Sequence, residues 1–173
     1  KVKGPIEPWD YLYYAEKVKA AKYAFDSDQL KPYFTLDNMI AASMYMAERL
    51  YGLTFVEITG KVPVFHPDVR VWEVHDKASN KLVGLFYGDY FARADKRSGA
   101  WMSSYQVYET FTGTTRIPIV SNNNNFVRGA AGAPILISLD DAETLFHEFG
   151  HAIHYLTSDV NYPTLGETPR DYV

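Results

Sequence analysis

His147-Glu148-Phe149-Gly150-His151 sets two imidazoles four residues apart, with a carboxylate directly after the first. On a helix, side chains at that spacing share a face, so His147 and His151 can grip one metal ion together. Zinc takes imidazole nitrogen at about 2.0–2.1 Å, and a catalytic zinc keeps three protein ligands plus a water. Glu148 stands where a carboxylate can reach that water and take its proton. The chemistry expected is hydrolysis at one Zn2+ ion, with His147 and His151 as ligands and Glu148 as general base. The chain has no cysteine, which leaves histidine and carboxylates as metal donors. Glu167 is the first candidate for a third ligand, with Asp159 and Asp171 as weaker ones.

A helix must hold this pair, and the flanking residues encode one. Leu145, Phe146, Phe149, Ile153 and Leu156 recur at intervals of three and four, the stripe of a helix packed on a core. Asp140 reads as the N-cap, with Glu143 completing a capping box. Gly150 is unfavourable inside a helix by about 1 kcal/mol against Ala, which points to close packing beside the metal. Metal-bound histidines donate their second ring nitrogen to a carboxylate or carbonyl. Glu143, four residues before His147, could fill that role or cap the helix; His154 reads as a supporting residue or as core.

Two helices precede this region. Pro8-Trp9-Asp10 opens the first, with Tyr11, Tyr14, Ala15, Val18, Ala21 and Phe25 as its stripe, and Asp26 to Pro32 forms a turn. The second runs from about Leu36 to Tyr51, its stripe Ile40, Met44, Ala47 and Leu50, with Gly52 as C-cap. The tyrosines and methionines of both helices are expected in the core. Phe55–Ile58, Val69–Val74, Leu82–Phe91 and Ala100–Val107 read as strands, with turns at Ser79-Asn80 and Ala94–Gly99. In zinc peptidases a sheet of this kind supplies an edge on which an extended peptide pairs. The last strand, around Gly99 to Met102, is the candidate, with Gly99 and Ala100 as substrate-binding residues because small side chains admit a peptide backbone. A purely structural strand is the alternative. The asparagine run Asn122–Asn125 reads as a loop satisfying its own backbone, and Gly129–Pro134 as a glycine-rich connector.

Composition bounds the partners. A net charge of −4 argues against nucleic acid, and no run is apolar or long enough to span a membrane. The absence of cysteine fits a reducing compartment, and no signal-peptide pattern is visible, although the chain opens at Lys1 without methionine. The expected setting is the bacterial cytoplasm, with the periplasm as the alternative. Oligomeric state leaves no trace in the sequence.

The segment from Glu143 to His154 closely resembles the active-site helix of the thimet oligopeptidase, peptidyl-dipeptidase and oligopeptidase A zinc peptidases. The resemblance extends to His66–Val74, Gly84–Arg97, Gly99–Met102, Ser158–Pro163 and Arg170–Val173, in one order along nearly the whole chain. It is closest in flavour to the bacterial peptidyl-dipeptidases. The resemblance implies a mainly helical α+β, zincin-like catalytic domain with a small, mostly antiparallel sheet before the metal helix and a channel that admits short peptides. It places the third zinc ligand, a glutamate, directly after the Arg170–Val173 run, at position 174, and substrate-binding residues further on. The stretch before Arg170 is shorter than is usual in the family. Residues 1–173 are then part of a catalytic domain: 1–52 helical, 53–137 sheet and loops, 138–173 the active-site helix and following loop.

Three functions fit: an oligopeptide-cleaving zinc peptidase, of peptidyl-dipeptidase or oligoendopeptidase type; a non-catalytic peptide-binding or structural fragment with an incomplete zinc site; and a zinc hydrolase acting on a non-peptide substrate. The first is the favoured reading. Whether cleavage removes C-terminal dipeptides or is internal lies outside what these residues encode.

Overall fold

Helix α1 (Tyr11–Tyr23) forms where its sequence demands, but it buries nothing. A computed structural model of the chain describes residues 4, 6–23, 29–130 and 132–167, so Phe25 and the first three residues of the Asp26–Pro32 turn fall outside the described residues. The expected core stripe of α1 fails: Tyr11 is 68% exposed and Val18 51%. The reason is visible on the helical wheel. Lys22 falls among Tyr11, Ala15 and Val18, while Leu12, Tyr13 and Tyr23 lie elsewhere, so no face is continuously apolar.

Helix α2 (Leu36–Tyr51) has that continuity. Leu36, Ile40, Ser43 and Ala47 are buried at helical spacing. Thr35 caps its start by accepting from the Asn38 amide at 3.2 Å, and Gly52 ends it in the left-handed region, φ 67°. Tyr45, Met46, Leu50 and Tyr51 point outward instead of into the core.

Five strands follow: β1 (Leu53–Glu57), β2 (Arg70–Asp76), β3 (Leu82–Phe91), β4 (Trp101–Gln106) and β5 (Ile119–Phe126). They form one sheet in the order β1-β2-β3-β5-β4. Three pairings are antiparallel, and β5 lies parallel to β3 with Phe86 opposite Val120. The asparagine run is therefore not a loop. It is the body of β5, with Ser121, Asn122, Asn123 and Asn124 all buried.

Helix α3 (Leu139–Leu156) and α2 cover one face of this sheet, which makes the fold α+β. Leu36, Ile40 and Ala47 of α2, Trp72, Val74, Phe86, Tyr90, Val120 and Phe126 of the sheet, and Leu145, Phe149, Ile153 and Leu156 of α3 form one buried cluster. At its centre, Phe149 meets Phe86 edge-on at 5.4 Å between ring centroids and Phe55 at 5.7 Å. Burying such a ring contributes about 1.5–3 kcal/mol, and it fixes α3 on the sheet one residue after Glu148. A smaller cluster of Ile58, Val69 and Val71 forms separately, joined by Leu85 and Tyr87, which alternate with Phe86 along β3.

Candidate functional site

Ser138 starts α3. Its hydroxyl accepts from the Asp141 amide at 3.0 Å, and the Asp141 carboxylate accepts from the Ser138 amide at 3.0 Å. The capping box is real but sits two residues earlier than expected, on Ser138 and Asp141 instead of Asp140 and Glu143. A serine hydroxyl is as good a cap as an aspartate, and the chain leaves its extended conformation at Ser138. Glu143 is therefore not spent on the cap; it lies exposed one turn before His147.

The helix divides cleanly by angle. Ala142, Leu145, Phe149, Ala152, Ile153 and Leu156 are buried against the sheet, while His147 is exposed and His151 half-buried on the opposite face. Their Nε2 atoms lie 3.2 Å apart, with ring centroids at 4.9 Å and planes at 79°. Two nitrogens about 2.05 Å from one tetrahedral ion would be separated by about 3.3 Å, so the pair fits two corners of a zinc site. Glu148 is 9% exposed and sits on the flank of α3 opposite Gly150, on the boundary between core and metal face. A carboxylate beside a converging imidazole pair can hold and move a proton there.

Among the described residues no third His, Asp or Glu groups with these two histidines to hold a metal. Glu167 lines a polar cleft of about 410 Å³ with Glu109, Arg116 and the end of β4. Asp159 lies in a separate pocket with Lys81 and Tyr108, whose hydroxyl it holds in the protonated form after burial, the larger cause. Asp171 and the Arg170–Val173 run lie outside the described residues. His154 is exposed, its ring 5.9 Å from that of Tyr155, so it is not core.

Gly150 is not packed closely either. A Cβ there would meet nothing within 4 Å, because the residue lines an open groove between α2 and α3 with Met46, Leu50 and Phe146. Gly99 also has free space around it, but its φ of 83° is the left-handed region, and that conformation favours glycine. It lies two residues before strand β4, which stands at the edge of the sheet and contacts α3.

Sequence reasoning passed over the groups that fasten this edge. Asn123 donates to the Trp101 carbonyl at 3.2 Å, and Asn125 to the carbonyls of Arg97 and Gly99 at 2.7 Å each. Asp89, 1% exposed, takes Arg93 in a two-pronged pair at 2.7 and 2.8 Å. The usable signal was Ile119-Val120 before the asparagines and Phe126 after them, apolar ends that a buried strand would carry.

The family model for peptidase family M3 matches residues 1–173. The dipeptidyl carboxypeptidase of Salmonella typhimurium is 44% identical over 171 residues, covering 97% of this chain and 25% of that protein. Its Escherichia coli counterpart is 45% identical over 170 residues, covering 96% and 24%. Oligopeptidase A of Salmonella typhimurium is 39% identical over 156 residues, covering 90% and 23%. The chain thus spans about a quarter of the length of these relatives. With the family model matched along its whole length, this chain belongs to peptidase family M3.

Proposed function

We propose that the chain is the part of a zincin-like catalytic domain that carries the metal helix and the substrate-pairing strand of an enzyme hydrolysing short oligopeptides. The observation that carries this reading is the 3.2 Å approach of the His147 and His151 nitrogens beside the buried Glu148. The names of the relatives, dipeptidyl carboxypeptidase and oligopeptidase A, support peptides as the substrate class. His147 and His151 would hold zinc, and the resemblance puts the third ligand just past Val173. Bound zinc supplies Lewis acidity, polarising a carbonyl and making water easier to deprotonate. The Glu148 carboxylate accepts the proton of the attacking water and delivers it to the leaving amine. The open edge of β4 aligns the peptide by main-chain hydrogen bonds, with Gly99 and Ala100 at its entry. The cysteine-free composition supports a reducing, cytoplasmic setting.

A second reading, peptide binding without cleavage, would use the same edge strand β4. One experiment addresses both. In Glu148→Gln, hydrolysis of an internally quenched peptide should fall by about 10²–10⁴-fold, while zinc affinity, measured by chelator competition, stays unchanged. Parallel loss of zinc would remove Glu148 from the role of base. A wild-type protein that binds the peptide yet shows no zinc-dependent cleavage would favour the second reading.

A further inference from the structure

The regular ladder between β4 and β5 ends at the Trp101–Asn123 pair. Beyond that pair a side chain takes over. The Asn125 amide nitrogen has two protons, and both go to the loop that feeds β4, one to the Arg97 carbonyl and one to the Gly99 carbonyl, each at 2.7 Å. From the other side, Lys96 is buried and donates to the Asp89 and Phe91 carbonyls at 2.9 Å, with the Asp89 carboxylate at 3.2 Å. The loop from Arg93 to Gly99 is therefore stitched to the ends of β3 and β5 at once.

The consequence is directional. In a trans peptide unit the C=O and the following N–H point opposite ways. With the Gly99 carbonyl turned inward to Asn125, the Ala100 N–H is turned outward, to the open side of the edge strand. We infer that Asn125 is a positioning residue: it orients the Gly99–Ala100 peptide plane so that the Ala100 N–H is presented to a carbonyl of an extended peptide. This rests on the reading of β4 as the substrate-pairing edge. A plane fixed in advance need not be ordered when the peptide binds, which is where its contribution to affinity arises.

The test is a double-mutant cycle between Asn125 and the substrate backbone. The probe is fluorescein-labelled tetra-alanine, with analogues in which one peptide unit at a time is replaced by a trans-alkene, which deletes its carbonyl acceptor, bound to the zinc-loaded protein carrying Glu148→Gln so that nothing is cut. With Asn125 present, one alkene position should weaken binding about tenfold, as loss of one hydrogen bond does. With Asn125→Ala, the parent peptide should bind about tenfold more weakly, and the same alkene should cost nothing further. Zinc affinity should be the same in both. If that alkene still costs tenfold in the Asn125→Ala protein, the two effects are independent and the inference is overturned. If no alkene matters in either protein, the pairing reading fails and takes the inference with it. Asn125→Asp, of the same shape but without the donors, gives the same cycle where the alanine variant does not fold.

Discussion

Glu148 and His147 are neighbours in the chain yet stand in different surroundings, one at the edge of the core and the other in the open. A single step of 100° on the helix separates them. This much was legible in the sequence, because the five-residue pattern and the apolar stripe beside it share one period. The cap was not, since Ser138, Asp140 and Asp141 are all competent starters and only the backbone decides among them. With Asp141 in the cap, Glu143 is available to accept from the second ring nitrogen of His147. Glu143→Gln should then lower zinc affinity about 10- to 100-fold in a chelator competition. An unchanged affinity would make Glu143 a solvated surface group.

At the scale of elements, α2, β2 and β3 followed from their patterns; α1 followed as a helix but not as a buried one, and β5 did not follow at all. Asparagine is a turn former and a poor strand former, so four in a row outweigh two flanking apolar residues in any reading of propensity. What overrides propensity is tertiary context: β3 on one side and β4 on the other satisfy the backbone of β5, and Asn123 and Asn125 spend their amides on the chain around β4. Asn122 and Asn124 alternate with these. Oδ1 of Asn122 and both polar atoms of the Asn124 amide are buried with no hydrogen-bond partner. An unpaired buried amide costs about 1–3 kcal/mol. Asn124→Val, which keeps strand shape and removes both atoms, should raise the melting temperature by several degrees in a thermal scan; a fall would mean that the buried amide finds a hydrogen-bond partner in solution. Gly84 offers the opposite case. A Cβ there would lie 2.7 Å from the Pro118 carbonyl and from a Leu156 methyl, where the end of α3 seats on the sheet. Gly84→Ala should destabilise the protein by about 1–3 kcal/mol, or roughly 2–4 °C in melting temperature for each kcal/mol.

For the molecule as a whole, ion pairs tie the layers together and set the response to pH. Arg70 donates to Glu57 at 2.9 and 3.1 Å and to Asp37 at 2.9 Å, joining β2, β1 and α2. The Arg70 hydrogen bonds hold the Glu57 carboxyl below its ordinary value, against burial; Arg128 does the same for Asp68, and Ser79 for Asp76. These contributions are complete above the ordinary carboxylate values of about 3.9–4.3 and are lost as pH falls through the depressed ones. His75 works in the other direction. Its hydrogen bond to Glu73 at 3.0 Å, then that to the Asn80 carbonyl, raise its value, so its contribution is complete below about pH 6.5 and is lost as pH rises through the raised value. Melting temperature against pH should therefore decline on the acid side below about pH 4. A smaller decline above neutrality should disappear in His75→Gln. Flat behaviour in acid would mean that the carboxylate pairs are already present in the unfolded chain.

The strand order also carries a history. β4 is made before β5 along the chain, yet its neighbour in the sheet is β5, inserted between it and β3. Until the later segment has crossed over and docked parallel to β3, the earlier one has no ladder to join. Such non-local closure is the slow step in forming a sheet. In pulsed hydrogen-exchange labelling during refolding, amides of Trp101–Gln106 should gain protection only after those of Ile119–Phe126. By this order, the rim proposed to align a peptide is closed only after β5 has docked.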